Sequence, residues 1–171
     1  MKPEPEVTAG HRDDLVALEY GPLYSFADWP NLVVPVVAAG AYTIWRGEQL
    51  IYVGMAGRTL TEAMIAARRE AEPTAKIGLA SRLGSHASGR RSGDQFCVYV
   101  GDRFVLPTLA PDDLAAIGRG ERSFDSLIRS FIRVNLSYRF IETPGGEVAY
   151  LVERRVQQGE LDCGKPLLNP R

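Results

Sequence analysis

Cysteine is scarce in this 171-residue chain: Cys97 and Cys163 lie far apart and form neither a CxxC pair nor a Cys/His cluster. That pattern excludes a zinc-ribbon or zinc-finger centre and reads as two reduced thiols. Long apolar runs are missing too. The longest, Leu32 to Trp45, is broken by Pro35, Gly40 and Thr43 and is too short to span a bilayer. The opening Met1-Lys2-Pro3-Glu4-Pro5-Glu6 lacks the apolar stretch of a secretory signal. Internal repeats and low-complexity tracts are absent. A strong charge of either sign is also lacking, since the net charge of −1 argues against a protein that coats nucleic acid. These absences lead us to expect a cytoplasmic chain without a membrane segment. Its length suffices for one good core and is short for two.

What charge there is lies unevenly. From Arg58 to Arg91, seven cations (Arg58, Arg68, Arg69, Lys76, Arg82, Arg90, Arg91) face three anions (Glu62, Glu70, Glu72). A local positive patch is what phosphate contacts need, although a solvated helix face has the same composition.

Residues 1–36, rich in proline, read as an irregular or partly helical lead-in, and 37–171 as the main domain. Gly40 to Trp45 and Gln49 to Met55 are rich in β-branched and aromatic residues and predict two strands, with Arg46-Gly47-Glu48 as a hairpin turn. Thr59-Leu60-Thr61-Glu62 reads as a capping box that opens an inserted helix, around 59–72. A second helix is expected from Gly78 to Ala87, stopped by Ser88-Gly89. Gln95 to Val105 alternates and predicts a third strand. Pro111-Asp112-Asp113 starts a short helix. Ser123 to Asn135 predicts a better one, with Phe124, Leu127, Ile128, Phe131 and Val134 on one face and Arg122, Arg129 and Arg133 on the other. Ser137 to Glu142 is a further strand, and Glu147 to Gln158 a final helix. The expected fold is α/β (α+β): a small, mostly antiparallel central sheet flanked by helices.

Three units carry chemistry. Gly40-Ala41-Tyr42 is followed, ten residues after Tyr42, by Tyr52-Val53-Gly54. Two tyrosines on adjacent hairpin strands can share a face, as a pair of core aromatics also would. Arg82 and His86 stand four apart, one above the other on a helix. A guanidinium grips two phosphate oxygens at once, and an imidazole moves protons near neutrality. Glu153 lies among Leu151, Val152 and Val156, where a carboxylate needs a partner or a metal.

In this order the three units resemble the GIY-YIG nuclease family. Gly40-Ala41-Tyr42 and Tyr52-Val53-Gly54 stand for its two name-giving triplets, each with one apolar departure that leaves the tyrosine intact. Arg82-x-x-x-His86 is similar to the form seen in restriction enzymes of that family. Pro166-Leu167-Leu168-Asn169 is similar to its terminal Pro-x-x-Asn segment. The resemblance covers residues 38–169, and the helix between the second triplet and Arg82 is an insertion.

The resemblance implies a metal-dependent endonuclease with Tyr42, Tyr52, Arg82, His86, Glu153 and Asn169 at its active site. One Mg²⁺ or Mn²⁺ would sit on Glu153 with much of its hydration kept. Arg82 would hold the scissile phosphate, and Asn169 would orient a phosphate or a tyrosine. The base lies between Tyr42 and His86, because a free tyrosine has a pKa near 10 and accepts a proton poorly without help. Nucleic acid, DNA first, is the expected partner. Arg58, Lys76, Arg90, Arg91, Arg122, Arg129 and Arg133 are the candidates to touch it. Few residues follow Glu153, so target recognition is expected from the lead-in, 60–76 or 102–138. Cutting both strands would call for a homodimer. The alternatives are an inactive nucleic-acid-binding or regulatory module of the same fold, or a partner-binding α/β domain in which the motifs coincide by chance.

Overall fold

The structure is a computed structural model that describes residues 10–169. Its centre is the hairpin of β2 (Val37–Arg46) and β3 (Gln49–Ala56), turned by Gly47 in the left-handed region at φ +58°. β5 (Leu136–Thr143) pairs antiparallel with the other side of β2, and two-residue β1 (Tyr24–Ser25) pairs antiparallel with β5, giving the order β1-β5-β2-β3. β4 (Ile77–Gly78) runs parallel to the start of β2. Every residue of β2 except Arg46 is buried, as expected for a central strand covered on both faces.

Helices make the two covers. On one face α3 (Leu79–Ser88), α4 (Gln95–Val100) and α6 (Phe124–Asn135) pack Leu79, Leu83, Phe96, Val100, Ile128 and Ile132 against Tyr42, Ile44 and Tyr138. On the other, α1 (Gly10–Tyr20) and α7 (Gly146–Gln158) bring Leu15, Leu18, Val152 and Val156 onto Ala41, Trp45, Leu50, Val53 and Ile141. A third, small cluster joins Ile65 of α2 (Glu62–Ala71) to Val37, Ala39 and Leu60. This is the expected mixed α/β architecture. α5 (Pro111–Gly118) lies outside these clusters. Among the described residues, no helix is long and apolar enough to cross a membrane.

Several local expectations are corrected. Residues 95–105 form no strand: α4 is followed by a π-helical turn (Gly101–Val105) and a 3-10 turn (Leu106–Thr108). Asp94 decides this by capping the helix, accepting from the Cys97 amide at 3.3 Å. The aromatic and β-branched run then buries Phe96, Cys97, Val100 and Gly101 on a helical stripe. The cap of α2 is Thr61, which accepts from Met64, and not Thr59. On α6, Ile132 is buried and Val134 is 81% exposed, and on α7 Leu151 points out. The described part of the lead-in is built into the second core: the Thr43 hydroxyl donates to the Leu18 carbonyl, and the Glu19 carboxylate accepts from the amides of Asp162 and Cys163.

Candidate active site

Two glycines explain the shape of the tyrosine triplets. Tyr42 lies opposite Gly54, and Tyr52 opposite Ile44, so both tyrosines project from one face of the hairpin. The Tyr42 ring and hydroxyl lie directly over Gly54, where any Cβ would collide with them. Gly40 is likewise pressed against the Ile141 carbonyl and the Leu79 side chain. Each triplet therefore carries glycine where a side chain would displace the site.

α3 supplies the next layer. Its buried stripe is Leu79, Ala80, Leu83, His86 and Ala87, and Gly89 closes it in the left-handed conformation at φ +71°. His86 thus sits in the core, 1% exposed, with Tyr52 edge-on at 5.9 Å and Phe96 at 4.6 Å between ring centres. Arg82, one turn earlier, is exposed. The two share a side of the helix at different depths.

A buried chain of short hydrogen bonds runs through His86. The Tyr42 hydroxyl lies 2.7 Å from Nε2, and Nδ1 lies 2.7 Å from Asp94 Oδ2. The Ser85 hydroxyl donates to the same carboxylate oxygen at 2.8 Å. Burial lowers the proton affinity of His86, with Asp94 opposing and Arg82 adding to the effect, so the ring is neutral at pH 7. Burial pushes the Asp94 carboxyl up, but the donors from His86, Ser85 and Cys97 outweigh it and the net direction is down. Tyr42 is raised well above the usual phenol range by burial and by Tyr52, against the pull of Arg82. Tyr52, half-buried, is pushed up to about 12 by burial and by Glu153.

The outer edge of β3 positions the rest. The side-chain amide of Asn169 forms two hydrogen bonds of 2.8 Å with the backbone of Val53, and the Leu168 amide donates to the Ile51 carbonyl. Further along this edge the Met55 amide steadies the Glu153 carboxylate. Asn169 therefore fixes the strand that carries Tyr52, and both ends of its amide are engaged there. Glu153 is half-buried; burial raises its proton affinity, and Arg58, Arg154 and Arg82 pull it back. Arg58 acts on it through space while lying 3.6 Å above the Tyr150 ring.

Tyr42, Tyr52, Arg82, His86 and Glu153 thus come together at one end of the hairpin. Beside them opens a cleft of about 320 Å³ lined by Ala56, Gly57, Gly78, Ser81, Arg82 and Ser85. A larger depression of about 630 Å³ lies along Arg154, Gln157, Lys165 and Asn169. The other predicted cations divide. Arg91 pairs with Asp125 at 2.6 Å, Arg122 pairs with Asp113, and Arg133 donates to the Trp29 carbonyl. The Arg129 guanidinium donates to the Ser126 hydroxyl at 3.4 Å, while Lys76 and Arg90 are exposed. The patch is thinner than its composition suggested.

One carboxylate, Glu153, is available here to a hard divalent ion. Glu153 is a desolvated carboxylate that gains from a cation, yet among the described residues no group of three or more His, Cys, Asp or Glu could hold a metal. An ion there would keep most of its water, as Mg²⁺ and Mn²⁺ do.

Asp94 was missed from sequence. Its signal was the helix-capping type of Gly93-Asp94-Gln95, hidden because the following run was read as a strand. No protein-family model matches this chain, and no curated protein or solved structure matches it significantly.

Proposed function

We propose that this chain is a divalent-metal-dependent endonuclease of the GIY-YIG type, hydrolysing phosphodiester bonds in nucleic acid, DNA first, in the cytoplasm. The observation that carries this reading is the convergence of Tyr42, Tyr52, Arg82, His86 and Glu153 from β2, β3, α3 and α7 at one end of the hairpin, beside a cleft that Arg82 lines. Hydrolysis needs a proton acceptor for water, a counter-charge for the phosphoryl oxygens and a fixed geometry between them.

Arg82 is the exposed cation lining the cleft, and it grips the scissile phosphate, with Ser81 and the glycine backbones at its sides. Glu153 would hold an Mg²⁺ or Mn²⁺, which would neutralise the developing charge. The water loses its proton toward the Tyr42–His86 pair, whose members are already 2.7 Å apart. Asn169 keeps Tyr52 in place by clamping Val53. Arg58, Lys76, Arg90 and Arg129 make the flanking phosphate contacts. Each such site breaks one strand at a time, so simultaneous cutting of both strands would call for a homodimer.

A plasmid-nicking assay with Mg²⁺, and with EDTA in its place, tests this directly. Relaxed or linear product is expected only with the metal, and Glu153→Ala should abolish it while leaving the melting temperature within a few degrees. Cutting by Glu153→Ala at the wild-type rate would overturn the metal assignment. Failure to cut plasmid, single-stranded or branched DNA, or RNA, would leave the inactive binding module as the better reading.

A further inference from the structure

We propose that Asp94 is the positioning residue of a proton relay, Tyr42–His86–Asp94, holding His86 with its proton on Nδ1 so that Nε2 accepts from Tyr42. Its catalytic consequence rests on the nuclease reading; its structural content does not.

An ionised carboxylate can only accept hydrogen bonds. Asp94 is 2% exposed, and both of its oxygens are supplied with donors. Oδ1 takes the Cys97 amide, and Oδ2 takes the Ser85 hydroxyl and the His86 ring nitrogen. A helix cap needs one oxygen, so the second, aimed at Nδ1, lies outside the capping role. With Nδ1 forced to donate, Nε2 of the neutral ring has a lone pair, and the Tyr42 hydroxyl donates into it. The ring is held between Tyr52 and Phe96. The ionisable groups around it are Tyr42 on β2, Tyr52 on β3, Arg82 on α3 and Asp94 ahead of α4, with Glu153 beyond the tyrosines.

The relay then has one direction. As the water oxygen bonds to phosphorus, one water proton moves to the Tyr42 oxygen while the Tyr42 proton moves to Nε2. The bond from phosphorus to the leaving oxygen breaks with its electron pair going to that oxygen, which takes a proton from solvent. The imidazolium, stabilised by Asp94 against the unfavourable charge of Arg82, afterwards returns its proton to solvent through Tyr42. This resolves the choice between the two bases: Tyr42 makes the first transfer and His86 is the sink.

Asp94→Asn separates positioning from capping, because asparagine is as good a cap and keeps an acceptor for Cys97. Its NH₂ group, turned to Nδ1, drives the His86 proton to Nε2 and reverses the hydrogen bond to Tyr42. Nitrogen-15 NMR of the wild type should show His86 protonated on Nδ1, and the variant should show Nε2 protonated. Cleavage by the variant should fall about 10²–10⁴-fold in kcat with little change in KM, the size expected of a wrong tautomer. A wild-type His86 protonated on Nε2 overturns the proposal, as does Asp94→Asn cutting within threefold of the wild-type rate. If the wild type cuts no nucleic acid, the nuclease reading fails, and the wild-type tautomer alone still supports or overturns the placement of Asp94.

Discussion

On the α3 flank of the hairpin, Tyr42, His86 and Asp94 are each at most 2% exposed, and each polar atom has a neighbour at hydrogen-bond distance. On the solvent side of the same end of the hairpin, Glu153 is half-buried, Arg58 and Arg82 are exposed, and none of the three pairs directly with another. The inner flank fixes protonation states by excluding water and matching donors to acceptors. The outer flank holds its charges without direct ion pairs, Glu153 being offset through space by Arg58, Arg154 and Arg82. Both lie at one end of the same hairpin.

The comparison can be broken from either side. At the outer flank, Arg82→Ala should lower the single-turnover cleavage rate by about 10²–10³-fold. Weakened DNA binding with an unchanged rate at saturation would move Arg82 out of the chemistry and into the flanking contacts. At the seam, Gly54→Ala should push the Tyr42 ring off its seat and destabilise the fold by about 1–3 kcal/mol, read from urea denaturation. Stability within 0.5 kcal/mol or so of wild type would show that the inner flank gives way more easily than its packing implies.

The smallest effect sharpens the contrast through pH. His86 has a depressed folded pKa, so its contribution is complete above about 6.5 and is lost as pH falls through the folded value. Glu153 has a raised folded pKa, so its contribution is present below the ordinary carboxyl value and lost as pH rises through the folded one. The two terms oppose each other on the acid side. In metal-free buffer, Glu153→Gln should therefore be more stable than wild type at pH 7–8 and lose stability more steeply on acidification. Parallel stability profiles for the two proteins would show that Glu153 is solvated as an ordinary surface carboxylate.

Much of the fold was legible because its elements carry local signals. The hairpin has its turn glycine, α6 its period, and α3 its glycine stop. Residues 95–105 misled because Phe96, Val98, Val100 and Val105 satisfy strand composition, and only the cap at Asp94 and the already covered sheet decide for helix. Val134 and Leu151 show the limit of periodicity, which sorts a face and cannot say which of its ends meets the core. In the site, residue types and order pointed to the tyrosines, Arg82, His86 and Glu153. The hydrogen bond from His86 to Asp94 could not be read, since it joins the end of one helix to the cap of another. Nor could the sequence show that Asp113 and Asp125 neutralise Arg122 and Arg91, because those pairs form only after α5 and α6 have packed.

The seam along β3 also bears on how two copies could meet. An unpaired strand edge is the commonest place for a second chain to add itself by backbone pairing. Here residues 167–169 run along that edge and occupy Leu50, Ile51 and Val53, while Glu153 takes the next amide at Met55. The sheet is closed there by its own chain. A second chain adding itself by backbone pairing would have to displace that segment at β3 or meet the opposite edge, where two-residue β1 covers only the start of β5.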